Sequence, residues 1–107
     1  MEQLLCDKVM DWREVCRMIA DHYGREKQQI QAIQELSEMI LVLTRRPDQR
    51  GADYREQVLT EIADCEIMLE QMRQLYKISE DEVSAEIDKK LLRQIDRIDK
   101  EVFLYDP

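Results

Sequence analysis

The chain has 107 residues, 16 of them basic and 24 acidic, for a net charge of −8; 44% are hydrophobic, and there are only two glycines and two prolines. That length suffices for one domain, and so little turn-forming material, against averages of ~7% Gly and ~5% Pro, excludes a β-sandwich or an α/β fold in favour of a few long helices. The acidic surplus and the lack of a basic block argue against nucleic-acid polymers and anionic membrane surfaces, both of which are bound through Lys and Arg.

In chain order, Leu5, Val9, Trp12, Cys16, Ile19 and Tyr23 alternate steps of four and three, which predicts a first helix ended by Gly24 as its C′ residue. A second helix is expected from about Arg25, with a stripe of Ile30, Ile33, Leu36, Ile40 and Leu43, until Arg45, Arg46 and Pro47 close it. RRPDQRGAD is the one clear loop, and Asp53 is the expected N-cap of a third helix carrying Val58, Ile62, Cys65, Leu69, Met72 and Tyr76. Ser79 followed by Glu82 is a capping box, so a fourth helix should run through Val83, Ile87, Leu91, Ile95 and Ile98 to about Lys100. No linker or repeat divides the chain, so residues 1–107 read as a single all-α domain, a four-helix antiparallel bundle.

Met39 to Leu43 is apolar all round, and the third helix adds Leu59, Ala63, Ile67, Met68 and Leu75 beside its main seam. A chain of this size cannot bury two faces of two long helices, so a homodimer or homotetramer should complete the core. No apolar stretch approaches the ~20 residues that span a bilayer, and MEQLLCDKVMDW lacks the basic start and apolar core of a signal peptide, which points to the cytoplasm. Cys6, Cys16 and Cys65 are odd in number and lack CxxC spacing, as expected of reduced, packed thiols.

Phosphate-binding glycine loops and HExxH are absent, and the single histidine, His22, has Ile19 rather than Glu three residues before it, which excludes a Glu-x-x-His di-iron bundle. Carboxylates remain. Glu35 and Glu38 form an ExxE on the second helix and Glu61 and Asp64 an ExxD on the third, each pair on one helix face and each beside apolar neighbours. Glu38 precedes the loop, and Glu61 follows it, by a similar number of residues, about 12 to 14 Å along each helix, so an antiparallel hairpin brings the pairs level. Four carboxylates at one level repel unless a cation or protons neutralise them, and an all-oxygen donor set suits Mg²⁺ or Mn²⁺ better than Zn²⁺. Glu38, at the middle of the cluster, is the candidate general base.

QAIQELSEMI (residues 31–40) followed by LTEIADCEIML (59–69) resembles the ExxE and ExxD motifs of the MazG-like all-α nucleoside triphosphate pyrophosphohydrolases, and DKKLLRQIDRI (88–98) is similar to a basic fourth-helix segment of that superfamily. The resemblance spans about residues 24–98. It implies that Glu35, Glu38, Glu61 and Asp64 bind Mg²⁺, that Lys90 and Arg93 contact the triphosphate, and that the reaction releases a monophosphate and pyrophosphate. Two positions depart from the pattern: Gln34 stands where many members carry a further Glu, and Cys65 where an aliphatic residue is commoner. Trp12, Tyr23, Tyr54 and Tyr76 are the rings able to stack on a base, although three of them lie in or next to core stripes. The same residues also fit a second reading, a non-enzymatic helical scaffold or partner-binding module in which the acids form a solvated stripe, Lys90 and Arg93 pair with Glu86 or Asp96, and the seams only make an oligomer.

Overall fold

The computed structural model describes residues 11–105, with side chains through residue 101, so Leu5, Cys6 and Val9 lie outside the described residues. Among the described residues the chain is all-helical: α1 (Trp12–Tyr23), α2 (Arg25–Leu43), a 3-10 turn (Pro47–Gln49), α3 (Tyr54–Leu75) and α4 (Glu80–Tyr105), with no strand. No described helix is long and apolar enough to cross a membrane. The chain divides into two units, one through Lys77 that holds α1 to α3 and one from Ile78 that holds α4.

In the first unit α1 starts on Asp11, whose extended backbone (φ −66°, ψ 141°) interrupts the one helix expected to carry Leu5 through Tyr23 and whose carboxylate accepts the Arg13 backbone N–H, and it ends on Gly24. Gly24 takes φ 87° and ψ 164°, a region that only glycine enters cheaply, rather than the left-handed helical C′ conformation the sequence suggests. This one residue closes α1, its N–H donating to Ala20 O at 2.8 Å, and opens α2, its carbonyl accepting from Gln28 N–H at 3.1 Å. The chain therefore changes direction between two helices with no loop.

α2 and α3 form the antiparallel hairpin. At the turn end the Tyr54 hydroxyl donates to Val42 O at 2.9 Å, at mid-length the Cys65 thiol approaches Glu35 O at 3.7 Å, and at the far end the Tyr76 hydroxyl donates to the Gln29 carboxamide oxygen at 3.0 Å. These three tie points fix both register and rotation. The α2 face turned inward is Gln28, Ala32, Glu35, Met39 and Val42, while Ile30, Ile33, Leu36, Ile40 and Leu43, the stripe expected to be core, stand exposed roughly 120° round the helix. On α3 the inward set is Glu61, Asp64, Cys65, Met68, Gln71 and Met72, leaving Leu59, Ile62 and Leu69 outside. A three-helix unit buries one face of each helix, and here that face carries the small and polar residues.

α1 packs on both helices through buried Val15, Cys16 and Ala20. It is also pinned to α3 by polar contacts. Glu70, only 9% exposed, pairs with Arg73 and lies 3.9 Å from Arg13 of α1, and Gln74 donates both to Glu70 (2.6 Å) and to the Arg13 carbonyl (2.9 Å). Burial works against the Glu70 charge, yet the Arg73 and Gln74 hydrogen bonds and the nearby guanidiniums hold its carboxyl below the usual range.

In the second unit the Ser79–Glu82 capping box forms as expected: Ser79 N–H donates to the Glu82 carboxylate at 2.7 Å and Glu82 N–H to Ser79 Oγ at 3.1 Å. α4 then continues to Tyr105, beyond the expected end near Lys100, with Val83, Ile87, Leu91, Ile95 and Ile98 exposed.

The backbone of Gly24 generates the first prediction. A Cβ there meets no heavy atom within 4 Å, so Gly24→Ala tests conformation alone. It should cost about 1–3 kcal/mol, and a melting curve should shift down by about 4 °C or more, given ~4–8 °C per kcal/mol for a unit of this size.

Candidate functional site

The α2–α3 register sets the two acidic pairs opposite each other. One carboxylate oxygen from each of Glu35, Glu38 and Glu61 lies within 4.8 Å of the other two, and Asp64, one turn after Glu61, stands near enough for its charge to act on Glu61 and that of Glu35 to act on it. Spacing within each helix puts the paired acids on one face, and the hairpin puts the two faces together, so all four residues singled out in the sequence converge.

The electrostatics follow from that crowding. Burial, then the charges of Glu38, Asp64 and Glu35, push the Glu61 carboxyl above its ordinary value of 4.5. Burial, then the charge and hydrogen bond of Glu35, push Asp64 above 3.8. The Cys65 thiol, buried beneath the acids, is pushed up by desolvation and by Glu61, Glu35 and Asp64, so it stays protonated and is free of any disulfide. Gln31 donates to one Glu35 oxygen at 2.9 Å, but the second oxygen of Glu35 and one of Glu61 are buried without a hydrogen-bond partner. Buried carboxylate oxygens are ordinarily paired, and a donor set of oxygens alone suits a hard cation.

Two cavities flank the acids along the hairpin. Toward the turn, one of about 300 Å³ is lined by Val42, Arg45, Gln57, Thr60 and Glu61 among others; Arg45 bonds Gln57 there, placing a guanidinium on the same wall as Glu61. Toward α1, another of about 640 Å³ has walls from all three helices, including Tyr23, Gln28, Gln34, Met68 and Gln71. The sequence reading passed over Arg45, which there is only a basic last-turn residue, and over Gln28 and Gln71, whose burial no hydrophobic pattern signals.

Lys90 and Arg93 lie on α4 in the second unit, where Lys90 Nζ is 3.8 Å from Glu86 on the same helix face. Tyr54 and Tyr76 hold the two ends of the hairpin, with Arg50 and Arg25 over their rings, and Trp12 carries Arg13. Tyr23 alone of the four rings lines the larger cavity.

Glu61 and Asp64 bind protons more tightly folded than unfolded, so in metal-free protein their contribution to stability is lost as pH rises from about 4 through their raised values, and returns on acidification. Glu61→Gln should therefore raise the metal-free melting temperature at pH 7 and lose that advantage near pH 4, as a pair of calorimetric pH series will show. Comparison of the chain with protein-family models, curated proteins and solved structures gave no match.

Proposed function

We propose that this protein hydrolyses a nucleoside or deoxynucleoside triphosphate to the monophosphate and pyrophosphate, with Mg²⁺ (or Mn²⁺) held by Glu35, Glu38, Glu61 and Asp64, in the manner of the MazG-like superfamily its sequence resembles. The observation that carries the reading is the convergence of three carboxylates from two helices, with Asp64 beside them and two buried oxygens left unpaired. A solvated acidic stripe, the scaffold alternative, accounts for the exposed Glu38 but gives no reason for half-buried Glu35 facing half-buried Glu61 across a hairpin.

The divalent ion would withdraw charge from the phosphate oxygens and lower the pKa of the attacking water. The acids hold the geometry and take the proton: as the water oxygen bonds to the α-phosphorus, its proton passes to a carboxylate, and the α–β bridging oxygen leaves with pyrophosphate. Glu38, at the middle of the cluster in sequence and within 4.8 Å of Glu35 and Glu61, is the proposed base. Lys90 and Arg93, carried over from the resemblance, are the proposed triphosphate contacts.

The assembly belongs to the same proposal. The exposed stripe Ile30, Ile33, Leu36, Ile40 and Leu43 on α2, with Leu59, Ile62 and Leu69 on α3, supports a four-helix antiparallel bundle whose core is completed in a homodimer or homotetramer, and the free, buried thiols of Cys16 and Cys65 suit a cytoplasmic setting. Light scattering at micromolar concentration should return two or four times the 12.9 kDa chain mass; a monomer would refute this part.

Activity is tested by incubating the protein with ribo- and deoxynucleoside triphosphates and Mg²⁺ and resolving the products. Monophosphate with pyrophosphate is expected, whereas diphosphate with orthophosphate would mean attack at the γ-phosphorus and sink the assignment. Asp64→Asn should lower turnover by about 100-fold or more, since loss of a ligand charge exceeds the ~10–100-fold typical of outer-shell changes. Unchanged turnover in that variant would favour the scaffold.

A further inference from the structure

The 640 Å³ cavity beside the acids has a chemistry of its own. Gln71, 2% exposed, lines it, and its carboxamide oxygen is buried without a hydrogen-bond partner. Buried acceptors are nearly always satisfied, so an orphan on a cavity wall calls for a donor from whatever fills the cavity. Gln28, also buried, adjoins it, and Gln31 and Gln34 contribute two more carboxamides. Four uncharged amides with Lys27 as the sole charged lining residue select a neutral, hydrogen-bonding ligand over an anion or a cation. The remaining walls, Ile19, Ile30, Ile67, Met68 and the Tyr23 ring, are apolar. Apolar faces with a polar edge describe a flat heterocycle.

Position supplies the next constraint. Gln31 lines the cavity and donates to Glu35, so cavity and acids share a side chain. On α3, Gln71 follows Asp64 by two helical turns, on the order of 10 Å, which leaves room for a sugar between a ring bound at Gln71 and a phosphate at the carboxylates.

We infer that this cavity is a nucleobase subsite in which an N–H on the base edge donates to the buried Gln71 carboxamide oxygen while the base lies among Tyr23, Ile19 and Met68. That the heterocycle is a nucleobase rests on the triphosphate reading; that it is flat, neutral and N–H-bearing does not. Gln71 is a specificity residue here, contacting the base and not the reacting atoms, and a carboxamide serves because it can also turn its N–H₂ toward a neighbouring acceptor.

The test uses free nucleosides and the whole chain without divalent cation, so it is independent of hydrolysis. Titration followed by amide shifts should saturate, with the changes centred on Gln28, Gln34, Met68 and Gln71. Gln71→Met, which keeps length and removes the acceptor, should weaken binding about tenfold, the size of one good hydrogen bond. Gln34→Leu, on the exposed rim and safe for folding, should shift the relative affinities of the nucleosides. Ribose 5-phosphate, which has no base, should leave these amides unmoved. Nucleoside binding that depends on Gln71 in a protein unable to hydrolyse triphosphates would overturn the enzymatic reading and leave the subsite standing. The subsite falls if no nucleoside saturates these amides by about 10 mM, well above the millimolar affinity of a weak ligand, if ribose 5-phosphate reproduces the shifts, or if both variants bind as the parent does.

Discussion

The pairing of α2 with α3 is the constraint on which the rest depends. Tyr54 on Val42, Cys65 under Glu35 and Tyr76 on Gln29 hold two long helices antiparallel in one register. A slip of one turn, about 5.4 Å, would carry Glu61 away from Glu38 and dissolve the acidic cluster. The same register lays Gln28 and Gln71 beside each other at one end and Arg45 near Glu61 at the other. Acids, amide cavity and guanidinium are thus three consequences of one hairpin geometry. The short 3-10 turn at Pro47–Gln49 is where that geometry is set, because its length decides which residues of the two helices meet.

The helices themselves, the ends marked by Gly24, Pro47 and Ser79, and the meeting of ExxE with ExxD were legible in the sequence because each depends on local chemistry, whereas the start of α1 and the end of α4, which carry no such signal, were not. Pro47 must end α2, Ser79 and Glu82 must cap α4, and loop length alone levels Glu38 with Glu61. The core face was not legible. Periodicity selects the most apolar stripe, and on α2 that is the isoleucine stripe, whereas the hairpin turns inward a face holding Gln28, Ala32 and Glu35. A hydrophobic pattern measures how much apolar area a face offers; the fold also weighs how closely two backbones and α1 approach, and small residues such as Ala20 and Ala32, both fully buried, win there. Buried glutamines escape such a reading altogether, since their burial is settled by partners distant in sequence.

The surplus apolar area that results is not small. Five large aliphatic side chains on α2 and three on α3 stand exposed in the single chain, and α4 carries a further stripe. Isolated exposed leucines need no explanation, but contiguous stripes on three helices are more apolar area than a single chain ordinarily leaves in water. The inward faces combine small and medium apolar residues with Gln28, Glu70 and Gln71, so most of the large aliphatic side chains lie on the outside of the first unit.

That interior treats its acids in two opposite ways on one helix. Glu70 of α3 is buried among Arg73, Gln74 and Arg13, its pKa is held down, and its charge is part of how α1 is fastened. Glu61 and Asp64, nine and six residues earlier on α3, are also removed from water, and the charges that add to burial in driving their pKa values up are carboxylates, those of Glu38, Asp64 and Glu35 on Glu61 and that of Glu35 on Asp64. An acid that serves only the fold is expected to resemble Glu70, since unpaired buried charge is costly and is readily removed by substitution. Keeping four acids together, two with unpaired oxygens, therefore raises the energy of the metal-free chain and lowers it on arrival of positive charge. Any ligand that brings positive charge to such a cluster gains affinity by relieving the repulsion as well as by its own contacts, which is why the acids, rather than the apolar faces, are the place where this fold has most to gain from binding.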